Sequence, residues 1–477
     1  MTELAALEAV FQKWLHLPDP GALHAVLGTV AANRLEGDPV WLLLVGPPGG
    51  GKSELLTALF NLADVHPAAT ITEAALLSGV PKREHQGAAK GGLLREIGDQ
   101  GIIVAKDFGS VLSMNRDARS QLLAALREVY DGSWTRHVGT DGGRALHWAG
   151  RVGFVGGVTP TIDRHHAVMG AMGERFILYR LPEVDPTIQA RHALSHAGHE
   201  KQMRHELATA TEALLDETVD AYHTFENEDA ERLIEFATLV VRARSAVERD
   251  GYSRDIELIP DPEAPTRLVI VLRRLLQGLD QIGLERDRSW QVIAKAALDS
   301  VPAIRLSCLF TLYHEHDEAR LDTNEIATRI SYPAVTTRRT LEDLTAHGLV
   351  NVIPNPGKAH TWGLEPFTQA RLASFPVMSS SMRQRLIKGV DLLIDSEHPG
   401  KAPWNGSTTP ETPTSSGTEP NAEDMPHMRG TDAAANAATG PTTDLLHESM
   451  RAPDAPIPVP AKSTDEIAEL EELDVPF

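Results

Sequence analysis

The stretch GPPGGGKS at residues 46–53 decides the fold, because it fits the pattern G-x-x-x-x-G-K-[ST]. The preceding residues 40–45, VWLLLV, form a continuous apolar run that is typical of a buried parallel strand. Residues 54–60 then place apolar side chains at helical spacing. A phosphate-binding loop requires a strand before the glycines and a helix after them. The context therefore predicts a nucleotide site formed by Gly46, Gly49, Gly50, Gly51, Lys52 and Ser53.

The residue types in this loop specify its chemistry. We expect backbone N–H groups of the loop and of the following helix to surround the β-phosphate, and Lys52 to reach the β- and γ-phosphates. The hydroxyl of Ser53 would hold Mg²⁺, so ATP and Mg²⁺ are the predicted cofactors. The alternative interpretation is a glycine- and proline-rich loop that carries a lysine by chance.

Composition bounds the class of protein. The chain has 477 residues and a formal net charge of -21, but residues 397–477 alone hold 15 Asp and Glu against four Lys and Arg. A local basic surface elsewhere is therefore compatible with the overall charge. The single Cys308 excludes a disulfide framework, as expected in a reducing compartment. The N-terminus shows no signal-peptide pattern, so we expect a cytoplasmic protein without a membrane segment.

Periodicity and composition divide the chain into seven segments. Strands alternate with helices in the second segment, which predicts an α/β fold with a doubly wound parallel sheet. The segments are two N-terminal helices at 1–36, a P-loop ATPase core at 37–181, a helical subdomain or lid at 182–300, an α+β module at 301–366, a helical extension at 367–395, a disordered linker at 396–464 and an acidic protein-docking tip at 465–477.

Asp107 closes the apolar strand at residues 101–107, which is where P-loop proteins place the carboxylate that orients the water shell of Mg²⁺. The next residue is Phe108, although many such ATPases have a glutamate there that positions the attacking water. Rapid hydrolysis of ATP is therefore in doubt. Glu73, near the end of a second predicted strand at residues 69–72, is a candidate substitute, and a surface glutamate is the alternative.

Residues 134–148 alternate around Gly139-Thr140-Asp141-Gly142-Gly143, which predicts a β-hairpin. A further strand at residues 152–158 follows and leads to Thr159. In this region the chain resembles the AAA+ ATPases that insert a hairpin before the sensor-1 strand, such as the minichromosome-maintenance helicases and the sigma-54 activators. The resemblance covers about residues 37–181.

The resemblance implies roles for further residues. Thr159 takes the sensor-1 place, where Asn is more usual, and Arg175 before Phe176 resembles an arginine finger that acts on a neighbouring subunit's γ-phosphate. Arg267 in the helical subdomain corresponds to a sensor-2 arginine. Such hairpins point into the pore of a ring, where Arg136, His137 and Arg144 would contact a DNA backbone. The alternatives are surface ion pairs for the arginines and a hairpin that only packs through its tryptophans.

Residues 301–366 have the element order of a winged helix-turn-helix: three short helices, two strands and a turn between the strands. The third predicted helix, residues 335–347, would place Leu341 and Leu344 inward. A recognition helix uses its N-terminal half against DNA. The predicted contacts are therefore Thr336, Thr337, Arg338 and Arg339, with Lys358 in the wing. Winged helices also bind proteins, so a protein-interaction module is the alternative.

The last thirteen residues contain six carboxylates and no Lys or Arg. This tip ends in Asp474, Val475, Pro476 and Phe477 and resembles the tail of bacterial single-stranded-DNA-binding proteins. The resemblance implies docking to a replication or repair protein, with the terminal Phe in an apolar pocket. A solubilising acidic tail is the alternative.

Together these features predict an ATP-dependent, oligomeric AAA+ protein of the helicase, translocase or loader type, acting on DNA in the replication or maintenance of a bacterial mobile element or phage. It would be a DNA-stimulated ATPase. The second hypothesis is a transcription regulator in which ATP binding sets the oligomer and the winged helix reads an operator. Phe108 favours the regulator, whereas the hairpin and the tail favour the motor.

Overall fold

The computed structural model describes residues 2–78, 91–139, 143–166, 174–216, 224–314, 320–357 and 359–375. All of these belong to one compact unit within residues 1–401. Lys358, most of the predicted helical extension, the linker and the acidic tip with Asp474 to Phe477 lie outside the described residues.

The described residues between 37 and 181 contain seven strands. Their bounds are β1 Trp41–Val45, β2 Val65–Pro67, β3 Gln100–Ala105, β4 Ser133–Val138, β5 Arg144–Ala149, β6 Arg151–Val158 and β7 Phe176–Arg180. Five of them form one parallel sheet in the order β2-β3-β6-β1-β7. The other two, β4 and β5, pair as an antiparallel hairpin. The predicted α/β class with a parallel sheet is therefore confirmed.

Both faces of the sheet are covered, as a parallel sheet requires. Leu42 and Leu44 of β1 point into one hydrophobic core, and Trp41, Leu43 and Val45 point into the other. The helices of this region are α1 Glu3–Trp14, α2 Gly21–Arg34, α3 Lys52–Thr57, α4 Glu73–Leu76, α5 Leu93–Ile97, α6 Gly109–Leu112 and α7 Arg116–Tyr130. The first three pack on the Leu42 side, and the last four on the Trp41 side.

One strand position differs from the prediction. Residues 69–72 do not form a strand, because β2 lies a few residues earlier and α4 begins at Glu73. Thr72 is the N-cap of α4, and its hydroxyl accepts a hydrogen bond from the Ala75 N–H at 3.1 Å. A threonine in this role starts a helix instead of extending a strand.

The region after β7 is mainly helical. It contains α8 Pro186–Ser195, α9 Glu200–Asp216, α10 Asn227–Arg244, a hairpin of β8 Glu248–Arg249 and β9 Ile256–Leu258, α11 Thr266–Gln281 and α12 Arg286–Asp299. α11 packs along α2, and α12 packs along β7. No helix within the described residues is long and apolar enough to cross a lipid bilayer.

The last described segment contains the three helices and the two later strands that the sequence predicts, together with a short strand, β10, that was not predicted. Its elements are α13 Ala303–His314, β10 Leu321–Asp322, α14 Thr323–Arg329, α15 Ala334–Ala346, β11 Val350–Ile353, β12 Thr361–Leu364 and α16 Pro366–Ser374. The strands form an antiparallel sheet in the order β10-β12-β11. Leu341 and Leu344 are fully buried, as predicted.

Candidate nucleotide site and DNA-facing surfaces

Three predicted parts of the nucleotide site meet at one edge of the parallel sheet, namely the edge formed by the carboxyl ends of its strands. The loop at residues 46–53 follows β1, Asp107 follows β3, and Thr159 follows β6, which lies between those two strands. Backbone hydrogen bonds hold the three ends together: the Gly46 N–H donates to the Val158 carbonyl at 3.1 Å, and the Phe108 N–H donates to the Gly157 carbonyl at 2.7 Å. In open α/β sheets, ligands bind at the carboxyl ends of the strands, which is where this convergence lies.

The backbone of the loop has the shape that its glycines permit. Gly49 and Gly51 have φ values of +75° and +82°, which other residue types rarely adopt. An added Cβ at either position would meet nothing within 4 Å, so the loop surface there is open. A loop of this kind presents backbone N–H groups to an anion. The loop therefore fits a phosphate chain.

Lys52 is buried beneath the loop, and its amine donates to the carbonyls of Gly46 and Pro47 at 2.6 and 2.7 Å. Burial lowers the pKa of Lys52, and the charge of Asp107 opposes this shift. The charges of Lys52 and Asp107 therefore attract each other at this end of the sheet. Ser53 beside Lys52 is exposed and its hydroxyl is accessible.

Asp107 is exposed at the strand end, and one carboxylate oxygen accepts a hydrogen bond from the Gly109 N–H at 2.9 Å. That bond orients the carboxylate at the end of the strand. Phe108, in contrast, points into the core. It is fully buried, with ring centroids 5.8 Å from Phe154 and 5.2 Å from Phe176. The side chain at position 108 therefore takes no part in the nucleotide site.

Glu73, the sequence candidate for a substitute base, is bound by the hairpin. The Arg136 guanidinium donates to the Glu73 carboxylate at 2.9 Å and to the Leu77 carbonyl at 2.7 Å. These bonds fix the hairpin to α4. The predicted contact of Arg136 with DNA stays a prediction, in which only the guanidinium N–H groups outside these two bonds would be available.

The alternation of side chains along the hairpin explains why Arg136 binds Glu73 and Leu77. Trp134, Arg136, Leu146 and Trp148 lie on the inner face, since the strands pair Trp134 with Trp148 and Arg136 with Leu146. Arg144 lies on this face too, near the tip, and is half-buried.

The outer face carries His137, which is exposed, and His147, whose Nδ1 lies 3.0 Å from the Thr135 hydroxyl. Of the three predicted hairpin contacts, His137 is thus the best presented. His147 was not among the predicted hairpin contacts, although strict alternation places it on the same face as His137.

Arg175 and Arg267 lie at the opposite edge of the sheet from the nucleotide loop. Arg175 directly precedes β7 and binds Asp131 at 2.8 and 3.0 Å, and it is buried. Arg267 binds Glu263 at 2.7 Å. Asp131, Glu263 and Arg267 line one open cleft of about 460 Å³. The structure therefore places neither arginine beside the loop at residues 46–53.

Two contacts on the nucleotide loop come from the helical region and were not predicted. The Gln189 amide of α8 donates to the Gly49 carbonyl at 2.8 Å. Arg204 of α9 binds Glu54, the residue after Ser53, with two hydrogen bonds of 2.8 and 3.0 Å. The sequence offers no local signal for either pairing, because both join residues about 140 or more positions apart.

α15 presents only part of the predicted DNA surface. Thr336 and Arg338 are exposed, and Arg339 is half-buried. Thr337 is fully buried and its hydroxyl donates to the Pro333 carbonyl, so the prediction that it contacts DNA is wrong. Helical periodicity gives the reason: Thr337 precedes the buried Leu341 and Leu344 by four and seven residues and shares their face.

Comparisons with known proteins add little. No family model and no curated protein matches the chain. Among solved structures, the chain is similar to the structure titled "The A form apo structure of NrS-1 C terminal region-CTR", at 13% identity over 75% of each chain and with a TM-score of 0.21. A similarity of this size carries no argument. The fold itself gives the class: an α/β protein with a five-stranded parallel sheet that is compatible with a Rossmann-like or P-loop fold.

Proposed function

We propose that this protein binds ATP with Mg²⁺ at the convergence of Lys52, Ser53, Asp107 and Thr159 and uses the nucleotide to control its action on DNA. The observation that carries the proposal is that one sheet edge holds a glycine loop with a buried lysine, an oriented carboxylate and a polar strand end. If the glycine-loop pattern had arisen by chance, nothing would require the loop, the carboxylate and the polar strand end to lie together.

Each residue has a separate task in this proposal. The loop N–H groups and Lys52 bind the phosphates, Ser53 and Asp107 hold the metal ion, and Thr159 lies beside the phosphate chain as a hydrogen-bond donor. The metal ion supplies charge neutralisation at the phosphates. Asp107 can orient a metal-bound water because the Gly109 N–H fixes its carboxylate. Since Phe108 is buried, binding of ATP has better support than its rapid hydrolysis.

We interpret α13 to β12 as a winged helix-turn-helix that binds duplex or forked DNA. α15 would be the recognition helix, with Thr336 and Arg338 as its exposed polar contacts. Its C-terminal half is fixed to the rest of the protein, because Asp343 binds Arg249 at 2.6 Å and Arg305 at 3.0 Å. The exposed N-terminal half is the part that a recognition helix inserts into the major groove.

The motor form of the proposal requires several subunits. Arg175 and Arg267 lie at the edge opposite the nucleotide loop, so a head-to-tail assembly would bring them to a neighbouring subunit's nucleotide. In such an oligomer His137 on the hairpin would face the DNA. A helicase, translocase or loader would use this arrangement, and the acidic tip would recruit a replication or repair protein.

The second candidate is a nucleotide-switched transcription regulator. Two observations favour it: Phe108 removes the usual water-positioning glutamate, and Arg136 binds Glu73 instead of facing outward. In this scheme ATP binding changes the oligomer and the winged helix reads an operator.

ATP turnover with and without single-stranded, forked and duplex DNA separates the two schemes. A motor shows DNA-stimulated turnover that Lys52→Ala abolishes. Turnover that no DNA stimulates, together with tight sequence-specific binding of duplex DNA, would eliminate the motor. For the tail, deletion of residues 475–477 should abolish recovery of a receptor for single-strand-binding-type tails, and unchanged recovery would exclude docking.

A further inference from the structure

Arg180 ends β7 immediately beside the nucleotide loop. In the parallel register it stands opposite Val45, the residue before Gly46. The next residue, Leu181, donates its N–H to the Val45 carbonyl at 2.8 Å, and the side chain of Leu181 packs against Gly46. A displacement of Gly46 would therefore also displace the end of β7.

The side chain of Arg180 contacts the other half of the nucleotide edge. Its guanidinium forms two hydrogen bonds to the Asp163 carboxylate, at 2.7 and 2.9 Å. Asp163 lies in the 3₁₀ helix Pro160–His165, which begins directly after Thr159. One buried arginine thus joins the end of the strand beside the loop to the segment that follows Thr159. A bidentate arginine–carboxylate pair has a defined geometry, which transmits a displacement better than a single contact.

The same guanidinium continues into the helical region. It donates to the carbonyls of Asp299 at 2.9 Å and Val301 at 3.3 Å. Lys295 of α12 donates to the Arg180 carbonyl at 2.8 Å and pairs with Asp299 at 2.5 Å. Asp299 ends α12, and α13 begins a few residues later at Ala303. Arg180 is therefore bound to the segment between α12 and α13, which we call the junction. The proposed winged helix-turn-helix begins directly after it, at α13.

α15 is connected to this junction through its C-terminal half. Arg305 on the first turn of α13 donates to the Asp343 carboxylate in that half of α15 at 3.0 Å. Arg305 is buried, so this ion pair joins the start of α13 to α15 inside the fold.

We propose that the Asp163–Arg180 pair couples the nucleotide site to the DNA affinity of α15, with Arg180 as a positioning residue for both. This inference rests on the proposed function. A nucleotide that draws the loop and Thr159 together must also move Asp163 relative to β7, and the buried Arg180 cannot give up its partner cheaply. The movement therefore passes to Asp299, α13 and α15. Affinity for ATP and affinity for DNA would then depend on each other reciprocally.

The test measures the ratio of dissociation constants for a fluorescein-labelled mixed-sequence duplex without nucleotide and with Mg²⁺ and a slowly hydrolysed ATP analogue. Nucleotide binding is measured separately by calorimetry. For the wild type we expect this ratio to differ from one by about 5- to 150-fold, the usual range of coupling. Asp163→Asn should bring the ratio within about twofold of one, while the protein still binds both ligands.

Asp64→Asn is the matched control, because it also removes a carboxylate that accepts two hydrogen bonds from one arginine, Arg34, at 2.8 Å each, and Asp64 precedes β2, which lies at the other end of the strand order from β7. It should keep the wild-type ratio. Asp343→Asn is a second test variant that leaves the Asp163–Arg180 pair intact and weakens the bond from Arg305 to α15, and it should also reduce the ratio if Asp163→Asn does not fold.

Three results would overturn the inference. If the wild type binds nucleotide but its ratio is one, or if both Asp163→Asn and Asp343→Asn keep the wild-type ratio, the coupling is wrong and the proposed function stands. If calorimetry shows no nucleotide binding that Lys52→Ala abolishes, the proposed function itself fails.

Discussion

Replacing Phe108 with the glutamate that is usual after the metal-orienting aspartate should fail to create a fast ATPase, because this position belongs to the core. Phe108 is fully buried among Phe154 and Phe176, and Trp41 lies 5.0 Å from the Phe176 ring. A carboxylate at position 108 would enter an aromatic cluster on one face of the sheet. It would not face Asp107, whose side chain is exposed.

The loss of stability can be worked from two contributions. Truncating a buried Phe costs about 3–5 kcal/mol. A buried glutamate is held neutral, and protonating it at neutral pH against an ordinary pKa near 4.3 costs about 3–4 kcal/mol more. The total of about 6–9 kcal/mol is comparable to the whole stability of a typical domain. At about pH 5 the second contribution falls to about 1 kcal/mol, so Phe108→Glu should be markedly more stable there.

Urea unfolding followed by tryptophan fluorescence measures this, since Trp41 adjoins the cluster. Phe108→Leu is the control, and its cost should be about 1 kcal/mol because it keeps an apolar side chain. The reasoning would be refuted if Phe108→Glu lost less than about 2 kcal/mol at pH 7, below the cost of truncating a buried Phe. A large rise in ATP turnover would refute it equally.

Three further predictions concern the other sites. Arg136→Ala should lower the free energy of unfolding, measured in urea, by about 1–3 kcal/mol. It should leave the salt dependence of single-stranded-DNA binding unchanged, and a shallower salt dependence would show that Arg136 contacts a phosphate. Thr337→Val should keep duplex affinity within about twofold in fluorescence anisotropy, whereas Arg338→Ala should weaken it by about 1–3 kcal/mol, and the reverse order would contradict the burial pattern. Burial raises the pKa of Glu174 to about 7, so its protonated form favours the folded state and wild-type stability is lost as pH rises from the ordinary glutamate pKa through 7. Glu174→Gln should therefore gain stability relative to the wild type between about pH 5 and about pH 8, and a pH-independent difference would contradict this.

The parts of the fold that could be predicted from the sequence are those with strong local patterns. The strands predicted before Gly46 and up to Asp107 are both observed, as β1 and as β3, which ends at Ala105, because buried parallel strands are continuously apolar. Asp322 and Glu325 form a capping box that starts α14, as the Asp-Thr-Asn-Glu stretch indicates. Each of these features depends on neighbours in the chain.

The errors and omissions concern contacts between distant residues. Arg136 is a basic residue on a predicted hairpin, as expected of a DNA contact, but its position in the fold depends on its bond to Glu73, which is 63 positions away. Arg180 looks like an ordinary strand end, and its importance depends on Asp163, Asp299 and Val301. Thr337 is a different case, because helical spacing from Leu341 and Leu344 was sufficient to predict its burial.

Isothermal titration of the full chain with a slowly hydrolysed ATP analogue and Mg²⁺ tests the central claim most directly. The wild type should bind one nucleotide per chain, and chelation of Mg²⁺ or the change Asp107→Asn should weaken binding. Lys52→Ala should reduce affinity by at least tenfold, about 1.4 kcal/mol, because the lysine supplies the positive charge beneath the loop. Equal affinity of the wild type and Lys52→Ala, or no binding by the folded wild type, would contradict a nucleotide site at this edge of the sheet.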